Sequence, residues 1–487
     1  MTSSCRLSRS IMLLAGLGAC APSVHLPSPH TALPARYERT GAANAQIVRP
    51  AIDQWWQLFD DPQLVVLVET ALARSTDARA AYFRISEARA IYAQSVATTL
   101  PTGNLNASAT GQQNEILSGG ANPLAQAGLA ESYSASFSPS WEIDLLGRLA
   151  AVRSGAHFDY DAAAFDYQGS LMILAADVAT GLFQARGTAV QLSDARETLR
   201  IAGELAATSR LGFSRGLVSG ADAARLDSNV SNARAEVTRL DAALRALKRS
   251  LLVLTGQPGD ATDSLVVDPV LAMPPPVPDI TPADLLSRRP DVLAAQARLG
   301  SAAQTIQVGR LNLFPRLTLN ASGAISRTTG LFGVDAGLWS IGAGVALPIL
   351  DRPRLMAALR ISEARGNQAV VAYERAVQAA FRDAENALTG TDASRVRMAD
   401  LAAATDRARY AFDAARTGYR LGLTDLTTLL QSEQGWRATR ATYTGAQAQA
   451  LLDTVRAFRA LGGGWSPTWP AAIPGPHPTP LARDTIR

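Results

Sequence analysis

The sequence predicts an α+β membrane protein built from two copies of one unit, in which coiled-coil helices alternate with membrane-length strands. Three observations lead to this fold class: an internal repeat, a heptad seam of apolar residues, and segments where apolar and small polar residues alternate. Of the 487 residues, 47% are hydrophobic and only 18% are charged. Beyond the N-terminus, no apolar run approaches the roughly 18 residues that a membrane-spanning helix requires. The apolar residues must therefore serve another purpose.

The composition excludes several classes of protein. The formal net charge is only +4 at pH 7 and no block of Lys or Arg stands out, so nucleic-acid binding has no support. Two Cys and four His supply neither a disulfide framework nor a rich metal site. Three of the histidines lie in Pro-rich segments and His157 stands alone on a predicted helix. We therefore expect no catalytic constellation, no metal and no ATP site.

The first 19 residues have the pattern of a signal peptide. Arg6 and Arg9 precede an apolar stretch at 11–17 that is too short to span a membrane as a stable helix. The stretch ends in Leu-Gly-Ala-Cys, which resembles the bacterial lipobox, where cleavage precedes a cysteine that is then lipidated. We expect N-acyl and S-diacylglycerol lipid on Cys20 as the only covalent addition, and no other cofactor. A plain signal peptide with an incidental cysteine is the alternative.

The residues after the predicted cleavage site indicate a tether and a destination. Ala21 follows the cysteine, and in lipoproteins of this kind a residue other than Asp favours delivery to the outer membrane. The segment 20–52 is rich in Pro near its start, which is typical of an extended linker. We therefore expect a chain that is lipid-anchored in the outer membrane.

Two sets of matching words indicate that one unit occurs twice. Leu-Asn-Ala-Ser at 105–108 recurs 214 residues later, and the word Arg-x-Gly-Phe-x-x-Gly-Leu that begins at Arg210 recurs 206 residues later with Tyr in place of Phe. The matches within each set share one phase, which is the pattern of a duplication. The predicted organisation is a first repeat at 53–265, a Pro-rich linker at 266–281, a second repeat at 282–465 and a Pro-rich tail at 466–487.

Part of each repeat has a helical period. The segments at about 149–211 and 355–417 lack Pro and are rich in Ala, which predicts two very long helices. Another segment has apolar residues in steps of four and three, the seam of a left-handed coiled coil. That seam consists of Leu226, Val230, Ala233, Val237, Leu240, Leu244, Leu247 and Leu251.

Elsewhere the period is two, which predicts strands at about 102–146 and 316–350. Tyr133, Ala135 and Phe137, for example, alternate with serines. Each repeat offers two strands of roughly 9–13 residues, the length of a tilted membrane strand. An amphipathic sheet on a soluble core is the alternative, but only a water-filled lumen explains small polar residues along the whole opposite face. We interpret Pro139 and Pro348 as strand ends or bulges.

Four strands cannot close a barrel alone. An open edge in lipid leaves backbone N–H and C=O groups unpaired, so closure requires other chains. Three copies would supply twelve strands, a number within the range of known barrels.

Several words of the sequence resemble those of the TolC-like outer-membrane factors, most closely the lipidated NodT-type channels of RND (resistance–nodulation–division) efflux systems. They are Trp55-Trp56 with Phe59, Asp61, Pro62 and Leu64; WEIDLLGR from Trp141 to Arg148; RRPDV from Arg288 to Val292; and PILD from Pro348 to Asp351. The resemblance implies a homotrimer whose twelve-stranded β-barrel continues into a long periplasmic α-helical barrel. It also implies a periplasmic adaptor (membrane fusion protein) and an inner-membrane RND transporter as partners. The function it implies is passive conduction of small molecules, such as drugs, to the exterior.

The resemblance also implies a periplasmic tip that closes the tunnel and docks the adaptor. The words at 212–219 and 418–425 contain glycines that break helices, which predicts helix–helix turns. The residues that match the docking motif are Gly212, Gly216, Leu217, Ser219, Gly418, Gly422, Leu423 and Thr424.

Four further residues match a periplasmic gate. Asp222 falls where the family has an acid that bonds a tip tyrosine, and Tyr419 falls where that tyrosine lies. Asp425 falls where related channels have a ring of carboxylates, whose mutual repulsion would raise their pKa and attract cations. Arg420 is a candidate partner of that ring. Each of the four could instead be an ordinary solvated residue. The places of further family tip residues hold Thr424, Thr428 and Gln431.

Three alternatives compete with an efflux channel. A secretion channel of the same fold is the nearest, although several protein-exporting relatives lack the lipid. A lipid-anchored coiled-coil scaffold without a pore would have no need of four membrane-length strands. An envelope enzyme would require a catalytic constellation, which the sequence lacks.

Overall fold

The computed structural model describes residues 26–38, 52–114, 128–278, 280–329 and 334–465. Cys20, the signal peptide at 1–19 and the tail at 466–487 lie outside the described residues, as does most of the tether. The chain forms two compact units. The first contains Ser86–Ala163, Ala295–Glu374 and the chain up to Pro29, and the second contains His30–Ile85, Ala164–Ala294 and Arg375–Arg487.

The order of elements repeats along the chain. The first copy comprises α1 (Pro62–Arg74), α2 (Thr76–Ala97), β1 (Thr102–Asn114), β2 (Gly128–Ile143), α3 (Arg148–Ser214) and α4 (Gly220–Leu254). The second comprises α5 (Leu285–Arg288), α6 (Pro290–Leu311), β3 (Arg316–Thr329), β4 (Val334–Ala346), α7 (Arg352–Arg420) and α8 (Leu426–Ala460). The two long helices α3 and α7 have 67 and 69 residues, or about 100 Å each at 1.5 Å per residue. Both predicted long helices are therefore confirmed.

The heptad seam explains how α4 packs. Each of its eight apolar residues is buried or partly buried in the structure. Leu240, for example, packs with Leu192 and Ala195 of α3. Close approach of the two helices depends on small residues, since a Cβ on Gly181 would lie 3.0 Å from the side chain of Leu251. The predicted coiled-coil seam is confirmed.

The second unit is centred on a cluster of aromatic side chains. Trp55 stacks on Phe458 with 5.7 Å between ring centroids, and Phe59 contacts Phe183 at 5.1 Å. Beside this cluster, Asp61 caps the start of α1 and pairs with the largely buried Arg186. The word that carried the first part of the resemblance therefore forms the core of this unit.

Each long helix and the helix after it end in the same glycine turn. Gly216, Gly256, Gly422 and Gly462 have φ values of +71°, +73°, +71° and +74°. Each glycine N–H donates to the carbonyl three residues earlier, and the next N–H donates to the carbonyl five residues before itself. The first two glycines lie 206 residues before the last two, so the repeat seen in the sequence has a structural counterpart.

The four strands of the first unit form one antiparallel sheet in the order β1-β2-β3-β4. Phe137 lies opposite Leu105 and Gly323, whereas Ser134 lies opposite Ser108 and Ser326. Because side chains alternate between faces, this register gathers the apolar residues on one face and the small polar residues on the other. The predicted alternation is confirmed.

The structure corrects the interpretation of one proline. Pro139 lies inside β2 opposite Gly103, and the β2–β3 register is the same before and after it, so Pro139 marks neither a strand end nor a bulge. Pairing with β3 is interrupted between Phe137 and Ser140, since proline has no N–H to donate to the ladder. Pro348 lies beyond the end of β4, as expected.

Within the described ranges, every helix is too short or too polar to cross a membrane.

The glycine turns generate a stability prediction. A Cβ on Gly256 would lie 2.6 Å from the carbonyl oxygen of Arg74, and alanine would also be strained at a φ of +73°. We expect Gly256→Ala to lower the free energy of unfolding by at least about 1–2 kcal/mol. Thermal unfolding followed by circular dichroism measures the change. Gly259→Ala is the matched control, because no atom lies within 4 Å of its Cβ position; equal melting temperatures for the two variants would contradict the account.

Candidate functional site

The two predicted tip words form the turns between long helices. The first connects α3 to α4 and the second connects α7 to α8. In each, the loop folds back onto a glycine of the preceding helix: a Cβ on Gly212 would lie 2.6 Å from Val218 Cγ2, and one on Gly418 would lie 3.0 Å from Thr424 Cγ2. These two glycines are therefore needed for close contact, whereas Gly216 and Gly422 are needed for their positive φ.

The residue that follows each turn caps the next helix. Ser219 Oγ accepts the backbone N–H of Asp222 at 3.1 Å and donates to the Asp222 carboxylate at 2.7 Å. Asp425 Oδ1 accepts the backbone N–H of Thr428 at 2.7 Å. Sequence reasoning assigned docking and gating to these positions and missed their capping role. The signal was available, because Ser or Asp directly before an apolar helix is a typical N-cap.

Capping determines the ionisation of Asp425. The backbone N–H of Thr428 and then its side chain hold the pKa of the Asp425 carboxyl below its usual value of 3.8. The sequence-based expectation was a raised pKa, caused by the carboxylates of neighbouring copies. Within one chain the direction is the opposite, because only hydrogen-bond donors stabilise the ionised carboxylate.

The two side-chain pairings expected at the gate are not formed within one chain. Among the described residues, Asp222 bonds Ser219 rather than Tyr419, whose side chain is about two-fifths exposed. Arg420 is the last residue of α7 and makes no ion pair with Asp425 or with any other described carboxylate. The structure thus brings the four residues to the two turns without linking them.

Each turn also exposes a large apolar side chain. Leu217 is 78% exposed and Leu423 is 77% exposed, and these leucines occupy equivalent positions in the two copies. Exposed apolar side chains at the tip of a loop are candidates for contact with another protein.

The sheet of the first unit has two chemically different faces. Serine hydroxyls pair across strands on one of them, at 2.9 Å between Ser108 and Ser134 and at 2.8 Å between Ser322 and Ser340. The opposite face is apolar and exposed in a single chain; it carries Leu105, Phe137, Ile325, Trp339, Ile341 and Val345. A sheet of this kind can separate a hydrocarbon phase from water.

In the part of the chain that the structure describes, no three His, Cys, Asp or Glu side chains are arranged to hold a metal ion.

A two-faced antiparallel sheet and long helical hairpins within one duplicated chain define a class of membrane channel proteins. Comparison with known proteins agrees: the family model described as outer membrane efflux protein matches residues 67–257 and 281–463. The chain belongs to this family. The efflux function and the outer-membrane location expected from the sequence are thereby confirmed.

Individual relatives are similar over nearly their whole length. The pyoverdine export outer membrane protein OpmQ of Pseudomonas putida is 30% identical over 474 residues, which cover 95% of this chain and 98% of that protein. The probable outer membrane lipoprotein SilC of Salmonella typhimurium is 26% identical, over 94% of this chain and 97% of that protein. Among solved structures, the outer-membrane channel OprN matches with a TM-score of 0.77 and 26% identity, over 92% of this chain and all of that one.

The cap at Asp425 generates a pH prediction. Because the folded-state pKa is lowered, the cap stabilises the first turn of α8 above the ordinary carboxyl pKa and is lost as the pH falls through the lower folded-state value. We expect hydrogen exchange at the Thr428 amide to accelerate at acidic pH beyond its intrinsic pH dependence. Asp425→Ser retains an acceptor that does not titrate, so its protection should not depend on pH, and Asp425→Ala should lack protection throughout. Identical profiles for wild type and Asp425→Ala would refute the cap.

Proposed function

We propose that three copies of this chain form an outer-membrane pore that passively conducts small molecules from a periplasmic adaptor and an inner-membrane RND transporter to the exterior. The single observation that carries this proposal is the sheet, whose continuous apolar face opposes a face of small hydroxyl and amide side chains. Lipid on one side and water on the other satisfy both faces.

The height of the apolar face fits a bilayer. Along β2, the face extends from Tyr133 to Ile143, which is about 33 Å at 3.3 Å per residue and about 25 Å when tilted by roughly 40°. At the end of the sheet near the β3–β4 connection, Arg327 pairs with Asp335 on this same face, at 2.7 and 2.8 Å. A charged pair beside Tyr133 is suited to a membrane interface and not to the hydrocarbon core.

Closure of the barrel follows from the edges of the sheet. β1 and β4 are the outer strands and have 13 residues each. β4 of one copy placed beside β1 of the next would continue the antiparallel pattern, and three copies would give twelve strands. The remaining units of each copy, at 53–265 and 282–465, would then supply the helices of a periplasmic barrel.

The turns and the N-terminus complete the proposed assembly. The exposed Leu217 and Leu423 would contact the adaptor at the periplasmic tip. Lipid on Cys20 would anchor the chain, as the name of the relative SilC suggests for that protein. A relative named for pyoverdine export makes a small organic molecule a reasonable cargo. A secretion channel would share the pore and would differ in its partners.

Neighbouring residues on opposite faces of β4 test the pore. Ile341 lies on the apolar face, and Ser340 lies on the hydroxyl face opposite Ser322. Ile341→Lys should destabilise the barrel by about 2–4 kcal/mol and abolish insertion into planar bilayers, because a lysine near the middle of the hydrocarbon layer is strongly unfavourable. Ser340→Lys should insert and shift the ion selectivity of the conductance toward anions. If both variants insert equally well with unchanged selectivity, or if the wild type forms no channel, the pore is excluded and the scaffold is favoured.

We also propose that closure of the tip brings the Tyr419 hydroxyl to the Asp222 carboxylate, which would then exchange its bond to Ser219 for one to the tyrosine. Removal of either partner should raise single-channel conductance or open probability by roughly two- to tenfold, the equivalent of one net hydrogen bond. Tyr419→Phe and Asp222→Ala are the variants. Tyr410→Phe is the control, because Tyr410 lies on the same helix with 78% exposure. Unchanged conductance in both variants would rule out this gate.

A further inference from the structure

An ion pair joins the first copy of the repeat to the second within the helical unit. Arg440 of α8 binds Asp194 of α3 through two nitrogens: Nε donates to one carboxylate oxygen at 2.8 Å, and Nη2 lies 2.6 Å from the other. The two side chains are 41% and 26% exposed, so the pair is partly shielded from water. Two-point contact fixes the orientation of the guanidinium as well as its distance.

The same guanidinium is supported from within its own hairpin. Its central carbon lies 5.7 Å from the centroid of the Trp436 ring, one helical turn earlier on α8. Trp436 stacks on Phe412 of α7, with 5.3 Å between centroids and planes within 2° of parallel. The chain of contacts therefore runs from α7 through α8 to α3.

Packing changes along the helices at the level of this pair. On the side away from the turns, α3 and α8 share one core: Phe183 and Phe458 belong to it, and a Cβ on Gly187 would lie 3.1 Å from Ala448. At and beyond the pair, each hairpin has its own small cluster. Leu192 packs with Leu240 between α3 and α4, and Phe412 packs with Leu429 between α7 and α8. The pair thus lies where the shared core gives way to separate ones.

A cavity of about 540 Å³ lies beside the pair, between α3, α4 and α8. Its lining includes Ala195, Ile201, Ala233, Leu240, Trp436 and Arg440. Protein interiors are packed to near crystal density, so helices in full contact can shift only between discrete arrangements. The free volume here allows α8 to move against α3 and α4 without displacing packed side chains.

We propose that the Asp194–Arg440 pair, supported by Trp436, is the pivot about which the turn end of the α7–α8 hairpin moves relative to the α3–α4 hairpin. The pair holds α8 against α3 and opposes the displacement that widens the tip, and the cavity provides the space for that displacement. This inference rests on the proposed function for its conductance readout. Its conformational content is independent of conduction.

Charge variants test the pair. Asp194→Asn and Arg440→Gln should each raise the ratio of open to closed channels roughly two- to fivefold, the value of one partly exposed ion pair. The double variant Asp194→Arg with Arg440→Asp should return the ratio toward that of the wild type. Arg196→Gln is the matched control, since Arg196 pairs with Asp241 inside the α3–α4 hairpin and should leave the ratio unchanged. Unchanged single variants, or a double variant that fails to recover, would overturn the pivot.

A cavity-filling variant should have the opposite effect. Ala233→Leu adds a side chain where α4 lines the cavity, and we expect it to lower the open fraction by a similar factor while the far-ultraviolet circular dichroism spectrum and the melting temperature stay near those of the wild type. An open fraction equal to or above that of the wild type would contradict the role of the cavity.

Hydrogen exchange separates this inference from the pore. Both single charge variants should raise exchange over residues 426–436 about two- to fivefold, whereas Arg196→Gln should not. If the wild type forms no channel and exchange still rises as expected, the pore fails and the pivot stands. If the wild type conducts and neither exchange nor conductance changes, the pivot fails and the pore stands.

Discussion

The constraint on which the rest of this structure depends is that no backbone N–H or C=O can be left unpaired in hydrocarbon. Each such group costs several kcal/mol in lipid. The described sheet has an apolar face suited to lipid, yet β1 and β4 each have only one neighbouring strand. Further copies of the chain must therefore close it, and closure places the hydroxyl face on the inside. The equal length of the two outer strands, 13 residues each, is what such pairing requires.

Duplication gives the two copies the same backbone and leaves their chemistry free to differ. The left-handed glycines recur at 206 residues, and Gly256 and Gly462 each press against the carbonyl of an arginine, Arg74 and Arg288. The caps after the turns differ, because one is a neutral hydroxyl and the other a carboxylate with a lowered pKa, Ser219 and Asp425. A tip built from both turns therefore combines near-symmetric shape with alternating charge. We propose that this charge difference allows the second turn to act as the gate while the first serves mainly as structure.

Periodicity in the sequence predicted the elements and their faces, but not the bonds between elements. The steps of four and three from Leu226 to Leu251 identify a buried stripe because side-chain direction follows from helix geometry alone. The alternation around Phe137 identifies the sheet faces for the same reason. By contrast, Asp194 and Arg440 are 246 residues apart, and only the relative position of two helices decides that they meet. The expected Asp222–Tyr419 bond is absent within one chain because Ser219, three residues away, occupies the carboxylate first.

The strengths of the contacts indicate how such a tip can move. Glycine turns, caps and coiled-coil seams lie within each hairpin and combine many local contacts, so a hairpin moves as one body. The contact between hairpins at the pivot is one partly exposed ion pair, worth at most about 1 kcal/mol. A difference of that size shifts populations severalfold and does not lock either state. Docking of a partner on the exposed leucines would therefore need only modest preference for one arrangement to change it, since the hairpins themselves need not unfold.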